Sequence, residues 1–73
     1  MREAKQRARI KQFIEENGSI TGKEASDFLG IMSFTKRISE MRRLGEPLTS
    51  VWESGENRYG EAVRYKRWYL EQN

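Results

Sequence analysis

Apolar residues recur at helical spacing through the first quarter of the chain. Ile10, Phe13 and Ile14, flanked by Gln6 and Asn17, make one stripe, which predicts a first helix over residues 3–17. Arg2, Lys5 and Arg9 fall together on a different face. Asn17-Gly18 ends the helix, since both residues tolerate a left-handed backbone. Ser19-Ile20-Thr21 suits a small strand with one buried side chain, Ile20. Thr21 and Glu24 have the spacing of a capping box: the hydroxyl accepts from the Glu24 amide and the carboxylate from the Thr21 amide. A second helix is expected from Gly22 to Leu29, with Ala25, Phe28 and Leu29 buried and Gly30 as its stop. Ile31 and Met32 form a turn. Ser33 is the expected N-cap of a third helix running to about Leu44. Phe34, Ile38 and Met41 form its buried stripe, with Leu44 at the edge and Lys36, Ser39, Glu40 and Arg43 opposite. Gly45 and Pro47 prevent continuation.

Beyond Pro47 the period changes from helical to two. Leu48 to Trp52 is rich in strand formers, Glu53 to Arg58 is turn-like around Gly55 and Asn57, and Val63 to Leu70 alternates basic and aromatic residues at a strand-like period. This is a hairpin signature. Trp68 and Leu70 are expected inward on the second strand, with Arg67 and Tyr69 outward. On the first strand Leu48 and Trp52 are expected inward. The pattern predicts an α+β domain, mainly α, with three helices and a C-terminal two-stranded hairpin over residues 1–73.

Composition narrows the chemistry. The 73 residues include no cysteine and no histidine, which removes disulfides, thiolate metal sites, the commonest metal ligand and the commonest general base. No pair of carboxylates beside a phosphate-cradling glycine loop is found, so neither catalysis nor a cofactor nor a metal is expected. No apolar run reaches membrane-spanning length, and the N-terminus lacks the apolar core of a secretory signal. A cytoplasmic protein is expected, or a nuclear one in a nucleated source. Net charge is +3, from 14 basic and 11 acidic residues. The basic residues cluster at 2–11, 36–43 and 58–67, with acids mostly between, which favours a polyanionic partner. A mixed, well-solvated surface accounts for the total equally well.

The order GSITGKEASDFLGI, then TKRISEMRRLGEPL, then RYKRWYL resembles the small winged helix-turn-helix proteins common in phages and prophages. The resemblance spans roughly residues 6–70. It implies a winged helix whose third helix enters the major groove of duplex DNA. Lys36, Ser39 and Arg43 become the base or phosphate contacts, with Arg43 suited to a guanine. Glu40 becomes an acceptor for a cytosine amino group, or a group that repels the backbone. Ser33 and Thr35 at the helix start suit a phosphate. Arg58 and Tyr59, in a wing over 53–60, reach a minor groove or backbone, and Arg2, Lys5 and Arg9 add phosphate contacts. The implied protein is a regulator, either a repressor or an excisionase-like architectural factor. It acts as a homodimer or a cooperative array in the cytoplasm or nucleoid of a bacterial host.

Plainer accounts exist for the same residues. Arg42 and Arg43 complement the helix dipole, and Lys36 with Glu40 is an i,i+4 pair worth about 0.2–0.5 kcal/mol. Tyr59, Tyr65 and Tyr69 suit any exposed hairpin. Two other functions also fit. One is a protein-docking winged helix using Glu15, Glu16, Glu24 and Asp27. The other is single-strand or RNA binding through Arg64, Lys66, Arg67 and the hairpin aromatics.

Overall fold

A computed structural model describes residues 2–71, with side chains from Glu3 onward, so the phosphate contact expected of Arg2 lies outside the described side chains. The elements are α1 (Arg2–Asn17), β1 (Ile20–Thr21), α2 (Gly22–Leu29), α3 (Phe34–Arg43), β2 (Leu48–Glu56) and β3 (Ala62–Leu70). Both long strands pair antiparallel, and β1 adds to the other side of β3, giving the order β1-β3-β2. Three helices followed by a hairpin is the predicted α+β winged-helix architecture.

Local chemistry sets the helix ends. Thr21 accepts from the Glu24 amide at 3.1 Å, and the Glu24 carboxylate accepts from the Thr21 amide at 3.0 Å, so the capping box forms in both directions. Gly30 closes α2 in the left-handed region, at φ 67°, and its amide donates to the carbonyls of the last turn. Ser33 occupies the N-cap position of α3, but its hydroxyl makes no capping bond.

The core is a single cluster drawn from every layer. Ile10 and Ile14 of α1, Ile20 of β1, Ala25 of α2, Ile31 of the turn, Phe34, Ile38 and Met41 of α3 and Leu48 of β2 are buried together. Phe13, Leu29, Trp68 and Leu70 pack against it. Ile20 sits opposite Trp68 and Thr21 opposite Arg67, so two residues of β1 stitch the hairpin to the helices.

Several expected burials differ. Phe28 is 70% exposed and Leu44 is also exposed, each lying at the edge of its helix's buried side. Phe28 stacks instead on Phe13, with ring centroids 5.9 Å apart. Asn17 is exposed, its amide donating to the Phe13 carbonyl. Trp52 shares the side of the sheet that carries Leu48 and Trp68, as its parity requires, yet it is 58% exposed. Each long strand has nine residues, about 30 Å of chain, and overruns the helices beneath it. Arg67 does not project freely. It is held by Glu53, Glu24 and Ser19.

The turn also moves. Residues 53–56 continue β2, and the hairpin closes over Asn57–Gly60. A β-carbon at Gly55 would meet the Tyr65 ring at 3.3 Å, so this glycine admits an aromatic ring lying across the strand. Asn57 builds the turn with its own side chain: Oδ1 accepts from the amides of Tyr59 at 2.9 Å and Glu61 at 3.0 Å.

One charged residue is buried in the helical layer. Arg37 is 6% exposed, its Nη2 lies 3.3 Å from Glu40, and its Nε has no hydrogen-bond partner among the described residues. It sits beside Phe34, Ile38 and Met41, where only its aliphatic stem is well suited. Methionine keeps the aliphatic volume of Arg37 and removes its unpartnered buried Nε, while Glu40 stays paired with Arg7 and is not left as an isolated charge. Arg37→Met is therefore expected to hold or raise the midpoint of thermal unfolding, while Arg37→Ala lowers it. Circular dichroism melts of both variants check this.

Candidate nucleic-acid interface

The exposed side of α3 follows from its buried side. With Phe34, Arg37, Ile38 and Met41 turned into the core, Thr35, Lys36, Ser39, Arg42 and Arg43 face outward. Lys36, Ser39 and Arg43 lie along one line at i, i+3 and i+7. Among the described residues, neither Lys36 nor Arg43 has an ion-pair partner. Ser33, Thr35 and Lys36 border a shallow hollow with Ser26 and Met32 at the start of α3.

Glu40 is placed differently from Lys36 and Arg43. It is half-buried on the α1 side of α3 and accepts from Arg7 at 2.8 Å while also facing Arg37. The i,i+4 pairing with Lys36 is replaced by these contacts. Lys11 with Glu46 adds a second ion pair from α1, to a residue three past the end of α3. These bridges fix α3 on α1 and consume carboxylates that would otherwise oppose a polyanion.

Arg58 and Tyr59 sit at the hairpin tip and are exposed on the Asn57 turn. Lys5 and Arg9 are exposed on α1. Of the basic residues on β3, Arg67 is committed. The hydrogen bond to Glu53 at 2.8 Å, helped by Glu24, holds its guanidinium above its ordinary pKa, so it stays charged at every accessible pH.

A further set lies in and beside the groove between α3 and the hairpin. Arg64 lies 4.8 Å and Lys66 5.3 Å from the Trp52 ring, and Lys66 lies 5.7 Å and Arg42 5.8 Å from the Trp68 ring. Thr35, Ser39 and Arg42 line one wall of this groove, and Trp52, Lys66 and Trp68 the other. This row is missed when the residues are taken one at a time. Arg64, Lys66 and Trp68 share a strand face by their i, i+2 spacing, but bringing in Trp52 needs the pairing register, and Arg42 needs the tertiary fold.

A helix-turn-helix carried on a small apolar core, with a paired wing beside its third helix, defines a winged helix-turn-helix domain. This is a DNA-binding, non-catalytic fold, and it implies a DNA partner. The chain belongs to the winged helix-turn-helix domain family, whose family model matches residues 5–73. No curated protein and no solved structure matches the chain.

Proposed function

We propose that this protein binds duplex DNA sequence-specifically as a phage- or prophage-type transcriptional regulator, either a repressor or an excisionase-like architectural factor. In this reading α3 lies in the major groove, where an α-helix fits and the four base pairs differ. The observation that carries it is the line Lys36–Ser39–Arg43, whose two cations have no ion-pair partner among the described residues while acids nearby are paired. Arg43 reads a guanine edge, Lys36 and Ser39 take a base or phosphate, and Ser33 and Thr35 take a phosphate near the start of α3. Arg58 and Tyr59 meet the backbone or minor groove from the turn. Glu40 acts through Arg7 and Arg37, fixing the angle of α3 and reading no cytosine. Pairing of two protomers, or a cooperative array on repeated sites in the host cytoplasm, supplies the affinity that one small module lacks.

Repeated selection from a pool of randomised duplexes tests this reading. A shared motif should emerge with the wild-type protein and lose definition at one position with Arg43→Ala. A pool that stays random contradicts sequence-specific binding. Docking on a host or phage protein is the alternative, supported by the exposed Phe28 and Met32 near the end of α2. It draws less from the acidic set, since Glu24 and Asp27 are already paired with Arg67 and Lys23.

A further inference from the structure

The outer half of the hairpin contributes little to the core, yet it carries a large aromatic side chain on the groove side. Trp52 is 58% exposed, and the described contacts of its ring are Arg64 and Lys66. Trp68 stands between Lys66 and Arg42 in the same way. The sequence in space is therefore Arg42, Trp68, Lys66, Trp52, Arg64, with cations and rings alternating. None of the three cations has a carboxylate partner among the described residues.

We propose that this row is a second phosphate-contact line, on which Trp52 and Trp68 hold Arg42, Lys66 and Arg64 against the sugar–phosphate backbone of the duplex that α3 enters. It deepens the duplex-binding reading and rests on it. Three aligned cations repel one another until a polyanion arrives, so their arrangement favours one. Stacking on a ring restricts long side chains before binding, which lowers the entropy cost of ordering them on a partner. A guanidinium held over a ring face by cation–π attraction still has N–H donors to offer a phosphate. Alternate residues on β3 stand about 6.7 Å apart, close to the step between neighbouring phosphates of one strand. The rings already carry cations, which favours backbone contact over base stacking. Trp52 is a positioning residue here, since it acts through Arg64 and Lys66.

The test measures binding of the full chain to a short random-sequence duplex, by fluorescence anisotropy over a salt series. Each phosphate contact contributes about 0.9 to the logarithmic salt slope. The Arg64→Gln, Lys66→Gln double variant is expected to lower that slope by about 1.8, with affinity at low salt falling about tenfold or more. Trp52→Ala, which changes no charge, should weaken duplex binding severalfold, and Trp52→Phe should restore it. Thermal melts should leave both Trp52 variants folded, and the double variant carries the test if they do not. An unchanged slope in the double variant, with wild-type duplex binding intact, overturns the phosphate line alone. So does a Trp52→Ala loss confined to a single-stranded oligothymidine probe, which would assign the rings to base stacking. Absence of duplex binding by the wild-type protein overturns the duplex-binding reading and this one with it.

Discussion

Reversing Lys36 and Arg43 together to glutamate is expected to lower affinity for a selected duplex by about a thousandfold and leave the fold intact. A good bidentate base contact is worth about 1–3 kcal/mol, and each 1.4 kcal/mol is a factor of ten. Two lost contacts therefore account for about two orders of magnitude. Placing two carboxylates against phosphates adds repulsion. Both side chains are exposed and have no ion-pair partner among the described residues, so the folded state loses little. The main structural cost is at Arg43, which complements the dipole in the last turn of α3 at about 0.3–1 kcal/mol. Anisotropy titration beside a circular dichroism melt separates the two effects. Retained duplex binding by a folded double variant would show that this face of α3 does not meet DNA. If partner capture survives while duplex binding is lost, the DNA and protein surfaces are distinct.

The largest stability effect is expected at Ile20, which is fully buried in a strand of two residues. Truncating a buried isoleucine to alanine costs about 2–5 kcal/mol through lost transfer energy and the cavity left behind. A domain of this size holds about 4–11 kcal/mol in total, so Ile20→Ala removes a large fraction of it. The midpoint of thermal unfolding should fall by more than about 10 °C, while Ile20→Val, at about 0.5–1.5 kcal/mol, shifts it only modestly. Ile20 also opposes Trp68 across the β1–β3 pairing, so its loss loosens the joint between hairpin and helices. An alanine variant within a few degrees of wild type would place Ile20 outside the core.

The parts of the fold that were legible in the sequence are those set by local chemistry. Thr21 and Glu24 cap each other across three residues, and Gly30 supplies a backbone conformation that other residues resist, so the ends of α2 could be read without knowing its neighbours. The stripe Phe34, Ile38, Met41 fixed the outward face of α3 by period alone. The expectations that changed depend on what packs where. Phe28 has the spacing of a buried residue, but it lies at the edge of α2, stacked on Phe13 and otherwise largely open to solvent. Trp52 has inward parity, but its strand outruns the helices. Gly55 suits a turn by composition, yet it lies under Tyr65, and Asn57 closes the hairpin with its own side chain. Arg37 holds a core position three residues after Phe34, on the helical period of the buried stripe, although a charged side chain is seldom buried.

The candidate interface divides along the same line. Lys36, Ser39 and Arg43 could be selected from helical spacing, and Arg58 and Tyr59 from their place in the turn. Glu40 shares much of that spacing, and only the approach of Arg7 from α1 turns it to a structural role. The tryptophan-braced cations needed both the strand register and the position of α3 against the hairpin, which no single segment encodes.

The most direct test of sequence-specific duplex binding is an anisotropy titration of the wild-type protein at two salt concentrations, with a selected duplex and a scrambled duplex of the same composition. The selected duplex should bind at least about a thousandfold more tightly at both, and both affinities should fall as salt rises. Equal weak binding to the two duplexes would contradict sequence recognition by α3, and no binding to either would contradict DNA as the partner.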